Sequence, residues 1–405
     1  MKALENPGNP APATASRLRL RLGIAGFGTA GRSMLPAIAA HPGCELVAIA
    51  DASHSLREEI GGALGAAVYP SLASMLDHRD LDAVYIATPT ELHLEHVLLA
   101  VAAKKHVLVE KPMAENLQRA MAMAVAAEEA GLVCLVGHSH GYDMPVKAMR
   151  DLIVGGTLGR VRMVNTWCYS DWMHRPRRVD ELDVRLGGGV TYRQGSHQFD
   201  ILRLLCGGMV RSVRAKTFDW RAERRGIGAH MVFLDFEDGA AATAIYNGYG
   251  GFDSAALCFN IGESGFSQPP RTGPRPGADG PRMSAQEELR AKQERARNAN
   301  WGPSPHPPFF GLTVVSCERG DIRQSPQGLT VYTDEGPRDI PLATDRSPRD
   351  LVLAELYDAI SRKAPALHDA RWGLANLEVC DAAIASSASG SEVLLRHQVR
   401  VRPGA

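Results

Sequence analysis

The sequence lacks the features that mark several large classes of protein. Its 405 residues hold 45 Lys and Arg against 45 Asp and Glu, so no charge excess favours nucleic acid or an anionic membrane as a partner. No apolar run approaches the length of a membrane span. The seven cysteines are scattered without C-x-x-C pairs, which indicates neither a disulfide framework nor a zinc site. We therefore expect a cytoplasmic protein that binds no metal ion.

One stretch near the start of the chain predicts a phosphate-binding turn. A short apolar strand from Leu20 to Ala25 stops at a G-x-G-x-x-G pattern, and a helix follows to about Ala40. In this setting the first glycine allows the tight turn, the second lets the backbone approach a pyrophosphate, and the third lets helix and strand pack closely. The residues that we expect to contact the cofactor here are Gly26, Phe27, Gly28, Thr29, Ala30 and Gly31.

An acidic residue follows the next predicted strand. The apolar run from Glu45 to Ala50 ends in Asp51, roughly 20 residues beyond the glycines, the spacing at which a carboxylate binds the adenine ribose hydroxyls. The same carboxylate would repel the 2′-phosphate of NADP. The sequence therefore predicts NAD as the cofactor in preference to NADP.

Strands and helices continue to alternate to about residue 136, which predicts a parallel sheet. Ligands of such sheets bind outside the carboxyl ends of the strands. The residues that we expect at this edge, and at the cofactor, are Thr88, Pro89, His93, Glu110 and Lys111. We expect an α/β fold in which residues 18–140 form a Rossmann dinucleotide-binding domain, preceded by a disordered tail over residues 1–17 whose composition is not that of a signal peptide.

From about Gly141 the pattern changes to longer, half-polar, alternating strands. These lie at 162–170, 210–218, 230–236, 240–247 and 312–317. The alternation predicts an open, mainly antiparallel sheet with one face solvated or covered by an oligomer partner. We expect residues 141–405 to form an α+β domain for substrate binding and oligomerisation, with a last helix at 371–389 that packs back on the Rossmann domain.

A proline-rich insertion at 263–308 interrupts this second domain. Within it, Ser284 and Glu287 form a capping-box pattern before a charged helix that runs to about Ala299. Glu288 and Lys292 have the spacing of an i,i+4 ion pair. We interpret the insertion as a solvated excursion, with a lid over the active site or an arm onto a neighbouring subunit as the alternatives.

The order of these motifs resembles that of a known family. The leading G-x-G-x-x-G, the acid after the second strand, Ala87-Thr88-Pro89-Thr90 with His93, and Glu110-Lys111-Pro112 before a long helix look like the dehydrogenases of the glucose–fructose oxidoreductase and inositol dehydrogenase (Gfo/Idh/MocA) family. The resemblance implies that Glu110 and Lys111 lie by the nicotinamide ribose and the substrate, and that the bond before Pro112 is cis. It also implies a homodimer or homotetramer formed through the second sheet.

A second informative stretch runs from Gly187 to Asp200. It is similar to the family's substrate helix, in which an Asp and a His four residues apart project into the active site from one helical face. His197 takes the place of the family histidine, but Arg193 stands where the family commonly has Asp. Because a guanidinium can hold a carboxylate by a bidentate pair, we expect a small anionic substrate and not a simple sugar or inositol.

The triple glycine, the Tyr-Arg-Gln-Gly run and the His-Gln-Phe-Asp run of this stretch resemble more closely the bacterial dehydrogenases of phthalate 4,5-cis-dihydrodiol. This implies NAD-dependent oxidation of a CH–OH group to give 4,5-dihydroxyphthalate, as part of aromatic degradation. Lys111 and His197 are then the candidates for base and alkoxide stabiliser, with the larger role for Lys111. The candidate substrate-binding residues are Tyr192, Arg193, Arg177 and Arg178.

Three other functions stay open from the sequence. The first is an NAD-dependent dehydrogenase of an acidic sugar or polyol such as a uronate, which Arg193 would also suit. The second is an enzyme that keeps NAD bound and uses it transiently, as in family members that hydrolyse glycosides or exchange hydride between two sugars. The third is a non-catalytic NAD-binding regulator, against which the retention of Lys111 and His197 argues.

Overall fold

The computed structural model describes residues 19–270, 283–300 and 304–402, so the tail predicted for residues 1–17 lies outside the described residues. The first domain contains six strands: β1 (Leu20–Ala25), β2 (Cys44–Ala50), β3 (Ala67–Tyr69), β4 (Ala83–Ile86), β5 (His106–Val109) and β6 (Cys134–Val136). They form one parallel sheet in the order β3-β2-β1-β4-β5-β6. The order reverses between β1 and β4, which places the ligand crevice outside the carboxyl ends of these strands. The predicted Rossmann sheet is confirmed.

The helices of this domain are α1 (Thr29–Ser33), α2 (Leu35–Ala40), α3 (His54–Ile60), α4 (Leu72–Leu76), α5 (His93–Ala102) and α6 (Leu117–Glu129). The single helix predicted from the glycine turn to Ala40 is wrong, because the chain forms two short helices that meet at Met34. Pro36 lies at the start of α2 and has no N–H to donate to the preceding turn, so a continuous helix would lose a hydrogen bond there.

The second domain is built on a nine-stranded sheet. Its elements are α7 (Met144–Val154), β7 (Val161–Tyr169), α8 (Ser196–Leu205), β8 (Val210–Phe218), β9 (Ala229–Phe236), β10 (Ala241–Asn247), α9 (Ala285–Arg297), β11 (Leu312–Cys317), β12 (Gly320–Ser325), β13 (Gly328–Thr333), β14 (Gly336–Pro341), α10 (Pro348–Ser361), α11 (Ala370–Ser389) and β15 (Val393–Leu394). The strand order is β14-β13-β12-β11-β7-β10-β9-β8-β15, and every neighbouring pair is antiparallel except β7 and β10. The mainly antiparallel sheet is confirmed. The meander β12 to β14 and the helix α10 were not predicted.

Helix α11 touches both domains. It begins at Ala370, where the Asp369 side chain caps it by accepting from the backbone N–H of Trp372. Arg371 pairs with Glu128 of α6 at 2.5 Å. Further along, the backbone N–H of Ala215 in β8 donates to Ser386 at 2.9 Å. The same hydrophobic core includes side chains of α6, α11 and β8, so burial of one helix stabilises both halves.

Two sequence-based expectations concern what the chain does not contain. Among the described residues, no helix is both long enough and apolar enough to cross a bilayer. Within the same ranges, no group of three or more His, Cys, Asp or Glu side chains is placed to hold a metal ion. The seven cysteines are free thiols, and six of them are buried.

Candidate active site

The glycine turn between β1 and α1 has the shape that a pyrophosphate requires. Gly26 has a φ of +88°, and a Cβ added there would lie 2.7 Å from the carbonyl oxygen of Ala87. A Cβ at Gly31 would collide with the carbonyl oxygen of Gly26, so no larger residue fits. At Gly28, in contrast, an added Cβ would meet no atom within 4 Å. The turn is therefore closed on its packed side and open at the glycine where the backbone is expected to approach a phosphate.

Asp51 follows β2 and lies beside the glycine turn. Its Oδ2 accepts from the backbone N–H of Phe27 at 2.8 Å, and its Oδ1 accepts from that of Ser53 at 2.9 Å. The carboxylate thus holds the glycine turn against the end of β2 and keeps further lone pairs for ribose hydroxyls. The residue before α1 is Gly28, which has no side chain to cap the helix, and the first helical residues are Thr29 and Ala30. These residues fit a dinucleotide.

His93 does not present its ring to the crevice. The side chain is 1% exposed, with Nδ1 3.1 Å from the carbonyl oxygen of Pro112 and Nε2 3.0 Å from that of Thr88. Burial lowers the pKa of His93 to about 4, so the ring is neutral. The expectation of a direct cofactor contact is corrected: the His93 ring lies between the loop after β4, which carries Thr88 and Pro89, and the loop after β5, and its one N–H can donate to a carbonyl oxygen of either loop but not of both.

Glu110 and Lys111 follow β5, and the bond between Lys111 and Pro112 is cis, as the resemblance implied. Glu110 accepts from Arg349 at 2.8 Å and from the hydroxyl of Tyr85. Burial would raise the pKa of Glu110, but the charges of Arg349 and Lys111 hold it below its usual value, so the residue is an anion. Arg349 lies 239 residues away in sequence, at the start of α10, and the sequence did not indicate it.

The Lys111 side chain points into the second domain. Its Nζ donates to the backbone carbonyl oxygen of Arg193 at 2.7 Å. The pKa of Lys111 is lowered to about 8, mainly by burial; Arg193 and Arg349 act in the same direction, and Glu110 opposes them. A lysine with this pKa can accept a proton near neutral pH.

The substrate helix begins with an irregular turn. Residues Thr191–Gly195 form a π-helical turn that runs directly into α8. Such turns are rare in proteins as a whole. Those that occur often lie at functional sites, because they change the direction in which side chains and carbonyl groups point. The carbonyl oxygen of Arg193 that binds Lys111 belongs to this turn.

His197 lies one turn further, on α8, and is 4% exposed. Its ring centroid is 4.6 Å from that of His140 and 5.1 Å from that of Phe310. Burial holds the pKa of His197 well below its usual value, and the charges of Lys111 and His140 act in the same direction. Its Nδ1 is buried and has no hydrogen-bond partner among the described residues. His197 is therefore a neutral ring, and His140 and Phe310, which the sequence did not indicate, form its wall.

Arg193 carries the least satisfied charge of the predicted substrate residues. Its side chain is 14% exposed, and Nη2 lies 3.7 Å from Oδ2 of Asp180. Both Nε and Nη2 are buried, and neither has a hydrogen-bond partner in the part of the chain that the structure describes. Burial lowers the pKa of Arg193 below its usual value, although Glu181 and Asp180 act in the opposite direction. The guanidinium nevertheless stays a cation.

The other two predicted substrate arginines, Arg178 and Arg177, differ in how firmly their side chains are already bonded. Arg178 donates to Asp180 at 2.9 and 2.5 Å, which occupies its guanidinium. The Arg177 side chain stacks on Trp172 at 4.1 Å, and its polar contacts within the described residues are long, 3.6 Å to Glu181 and 3.4 Å to a carbonyl oxygen, which leaves it able to bind a ligand.

Tyr192 was expected to contact the substrate, and the structure corrects this. Its hydroxyl donates to Oδ1 of Asp381 in α11 at 2.6 Å, and the residue is 6% exposed. The Tyr192 side chain therefore fixes the π-helical turn Thr191–Gly195 to α11. Asp381 lies 189 residues away, so no local pattern could have indicated this partner.

The helix of the insertion also differs from its prediction. The capping box of Ser284 and Glu287 is present. The predicted ion pair between Glu288 and Lys292 is not made, since Lys292 donates to Glu181 at 2.6 Å and Glu288 accepts from Arg224 at 2.6 Å. Helix α9 therefore lies against the loop that carries the substrate arginines and is not a solvated excursion; residues 271–282 and 301–303 of the insertion lie outside the described residues.

A dinucleotide turn joined to a second sheet, with a lysine and a histidine where the two meet, defines the class of pyridine-nucleotide oxidoreductases. The family profile described as the oxidoreductase family with an NAD-binding Rossmann fold matches residues 20–138, and the GFO/IDH/MocA C-terminal domain matches residues 146–253. The chain belongs to the Gfo/Idh/MocA family and is an NAD-dependent oxidoreductase. The family, the fold, the enzyme class and the cofactor expected from the sequence are confirmed.

Several relatives show what this chain is similar to. A 1-carboxy-3-chloro-3,4-dihydroxycyclohexa-1,5-diene dehydrogenase of Comamonas testosteroni is 35% identical, over 89% of this chain and 93% of that protein. The inositol 2-dehydrogenase of Rhizobium meliloti (strain 1021) is 29% identical over 47% of this chain and 56% of its own length. A solved structure from Bordetella bronchiseptica RB50 is 38% identical and superposes with a TM-score of 0.83, covering 93% of this chain and all of that one.

Proposed function

We propose that this protein is an NAD-dependent dehydrogenase of a carboxylated cis-dihydrodiol, which oxidises phthalate 4,5-cis-dihydrodiol to 4,5-dihydroxyphthalate. The observation that carries the proposal is Arg193, whose Nε and Nη2 are buried without a hydrogen-bond partner among the described residues. Buried polar groups without partners are costly, so a guanidinium in this state fits an anionic ligand. The Lys111 side chain donates to the carbonyl oxygen of Arg193, so a carboxylate bound by Arg193 would lie near the candidate base.

The name of the Comamonas testosteroni relative supports the same chemistry. It describes a ring that carries one carboxyl group, one chlorine atom, two adjacent hydroxyl groups and two double bonds. In phthalate 4,5-cis-dihydrodiol both carbinol carbons carry a hydrogen atom, so oxidation of one hydroxyl group gives an enone that becomes aromatic by enolisation. An enzyme for this reaction needs a positioned nicotinamide, a base and a means of holding the carboxylate.

These roles fall on residues of both domains. NAD, when bound, would accept the hydride from one carbinol carbon of the diol. Lys111 takes the proton of the hydroxyl group on that carbon, because its lowered pKa makes the neutral amine available just above neutral pH. His197, which is neutral, binds the reacting or the neighbouring hydroxyl group. Arg193 holds a ring carboxylate by a charge-assisted pair, and we assign the second carboxylate to Arg177.

Steady-state assays with NAD test this function. Release of NADH is followed with a carboxylated cis-dihydrodiol, the uncarboxylated analogue and a uronate as substrates. We expect kcat/KM to be at least about a hundredfold higher on the carboxylated diol than on its analogue, the scale of one buried charge pair. A higher kcat/KM on the uronate would replace this function by an acidic-sugar dehydrogenase. Turnover without stoichiometric NADH in a single-turnover assay would indicate a cofactor that is used transiently.

The outer face of the second sheet supports a homo-oligomer, and we infer a dimer or tetramer formed through it. Trp167 of β7 and Met231 of β9 flank Ile245 of β10 in one row across three neighbouring strands. Trp167, Met231 and the nearby Phe233 are exposed by 37%, 52% and 46%, which is unusual for large apolar side chains on a monomer surface. Light scattering should give a dimer or tetramer for the parent and a smaller species for Phe233→Glu. A monomeric parent would contradict the inference.

A further inference from the structure

Helix α9 of the insertion is fixed beside the predicted substrate arginines by three charged side chains. Glu288 accepts from both terminal nitrogens of Arg224, at 2.6 and 2.8 Å, and from the backbone N–H of Arg177 at 2.6 Å. At its end, Arg297 pairs with Glu59 of α3 in the first domain at 2.7 Å. Lys292 lies between these two anchors. Its position is therefore set by contacts with both domains.

Lys292 binds Glu181, the acid that lies beside Arg177. Its Nζ donates to Oε2 of Glu181 at 2.6 Å, while Arg177 lies at 3.6 Å from Oε1 of the same carboxylate. Glu181 is 6% exposed and also accepts from the backbone N–H of Arg178 at 2.9 Å. Although burial raises the pKa of Glu181, Lys292 and Arg177 lower it to about 2, so this carboxylate is charged at neutral pH.

Among the described residues, Arg177 and Arg193 make weaker pairs with the acids of this loop than Arg178 and Lys292 do. Arg178 occupies Asp180, and Lys292 occupies Glu181, both at hydrogen-bonding distance. Arg193 and Arg177 reach the same two acids only at 3.7 and 3.6 Å. If Lys292 were absent, Glu181 would be a buried anion whose nearest cation is Arg177, and it would both compete with and repel a substrate carboxylate.

We propose that Lys292 is a specificity-determining positioning residue: by pairing with Glu181 it keeps Arg177 and Arg193 available for the carboxylates of a ring dianion. This inference rests on the proposed function, because it concerns the same substrate site. It assigns the insertion a role in the choice of substrate, although Lys292 itself need not touch the substrate.

The test compares variants of this pair on the carboxylated diol. Lys292→Met should raise KM by about tenfold or more, the scale of losing one charge partner, while kcat stays within about threefold. Lys292→Arg, which keeps the cation, should keep KM near that of the parent. Adding Glu181→Gln to Lys292→Met should return KM toward the parent value, since the competing anion is then removed. Arg290→Met, an exposed arginine on the same helix, is the matched control and should change neither constant.

Competitive inhibition by phthalate gives a second readout that needs no turnover. The inhibition constant should rise in Lys292→Met and recover in the double variant. An unchanged KM and inhibition constant in Lys292→Met, or a rise that Glu181→Gln does not reverse, would overturn the inference while leaving the proposed function in place. If the parent neither oxidises carboxylated diols nor is inhibited by phthalate, the proposed function fails and this inference fails with it.

Discussion

The two ends of the active site recognise their ligands by different means. At the cofactor end, the shape of the backbone at Gly26, Gly28 and Gly31 makes the site, and one carboxylate, Asp51, completes it. At the substrate end, the proposed site consists of charged side chains from segments far apart in sequence, such as Glu181 and Lys292. The first kind of site is encoded in one stretch of sequence. The second exists only after the whole domain has folded.

Lys111 lies between the cofactor end and the substrate end of the site. Its replacement therefore shows whether turnover can be lost while cofactor binding is kept. Lys111→Met should bind NADH nearly as well as the parent, yet lower kcat by at least about a hundredfold, the usual scale for removing a general base. Stopped-flow binding and steady-state assays measure the two effects. Lys104→Met, an exposed lysine at the opposite edge of the sheet, is the control. A kcat within a few fold of the parent would make Lys111 a structural residue only.

The pH dependence of the parent sharpens the same prediction. Because burial lowers the pKa of Lys111 to about 8, the neutral amine becomes the main form only above that pH. If Lys111 is the base, kcat/KM should rise with pH and become level above about pH 8. A profile that is flat between pH 6 and 9 would give the proton to another group.

His368 lies against the substrate helix α8. Replacing it tests how much a buried charge stabilises the protein at the substrate end. It lies between Asp200 of α8 and Glu355 of α10, at 3.5 Å from each, and is 1% exposed. Burial would lower the pKa of His368, but these two acids raise it to about 9. The raised pKa contributes about 3 kcal/mol of stability, fully present below an unfolded pKa near 6.5 and lost as the pH rises through 9.

Thermal unfolding of His368→Gln measures this contribution. The variant should unfold at a lower temperature than the parent at pH 6.5, and the difference should shrink as the pH is raised to 9.5. His230→Gln is the control, because burial lowers the pKa of His230 to about 3 and the ring stays neutral throughout this window. A difference for His368→Gln that does not vary with pH would mean that the histidine is uncharged in the folded protein.

The smallest expected effect lies at the cofactor end. Asp51→Ala and Asp51→Asn should reduce the preference for NAD over NADP by about tenfold, through the lost ribose hydrogen bonds and the lost repulsion of a 2′-phosphate. The ratio of the kcat/KM values for the two cofactors measures this. The discrimination between carboxylated and uncarboxylated diols should not change, because the substrate end is untouched. A parent enzyme that uses NADP as well as NAD would refute the assignment of Asp51.

The difference between the two ends also explains what the sequence could predict. The glycine turn, Asp51, and the loop of Glu110 and Lys111 follow strands of one parallel sheet, so their positions could be predicted from local patterns and a single topological rule. The family pattern likewise indicated Arg193 and His197. These predictions need no knowledge of which side chains pair across the fold.

The partners of these residues could not be predicted in the same way. Glu288 and Lys292 have the spacing of a helical pair, which stabilises an isolated helix by only a few tenths of a kcal/mol. In the folded domain each finds an oppositely charged partner that is itself largely buried, and the pairing changes. Arg349 reaches Glu110 over 239 positions, and Lys292 reaches Glu181 over 111. Contacts at such separations depend on the packing of elements whose arrangement no local pattern encodes.

The claim that Arg193 binds a substrate carboxylate is central to the function proposed for this protein. It is tested most directly by measuring kcat/KM of the parent and Arg193→Ala on a carboxylated and an uncarboxylated cis-dihydrodiol. Arg185→Ala is the matched control, because this arginine belongs to the same loop but its side chain is 87% exposed. Arg193→Lys is measured beside it and should restore little, since a point charge cannot reproduce the planar fork of the guanidinium.

The predicted result is a coupling between the arginine and the carboxylate. Arg193→Ala should cost on the order of 2 to 5 kcal/mol in transition-state binding of the carboxylated diol, and far less on the uncarboxylated one. Arg185→Ala should leave both values near those of the parent. Equal losses on the two diols for Arg193→Ala would contradict the account, because Arg193 would then support the substrate helix without recognising the substrate.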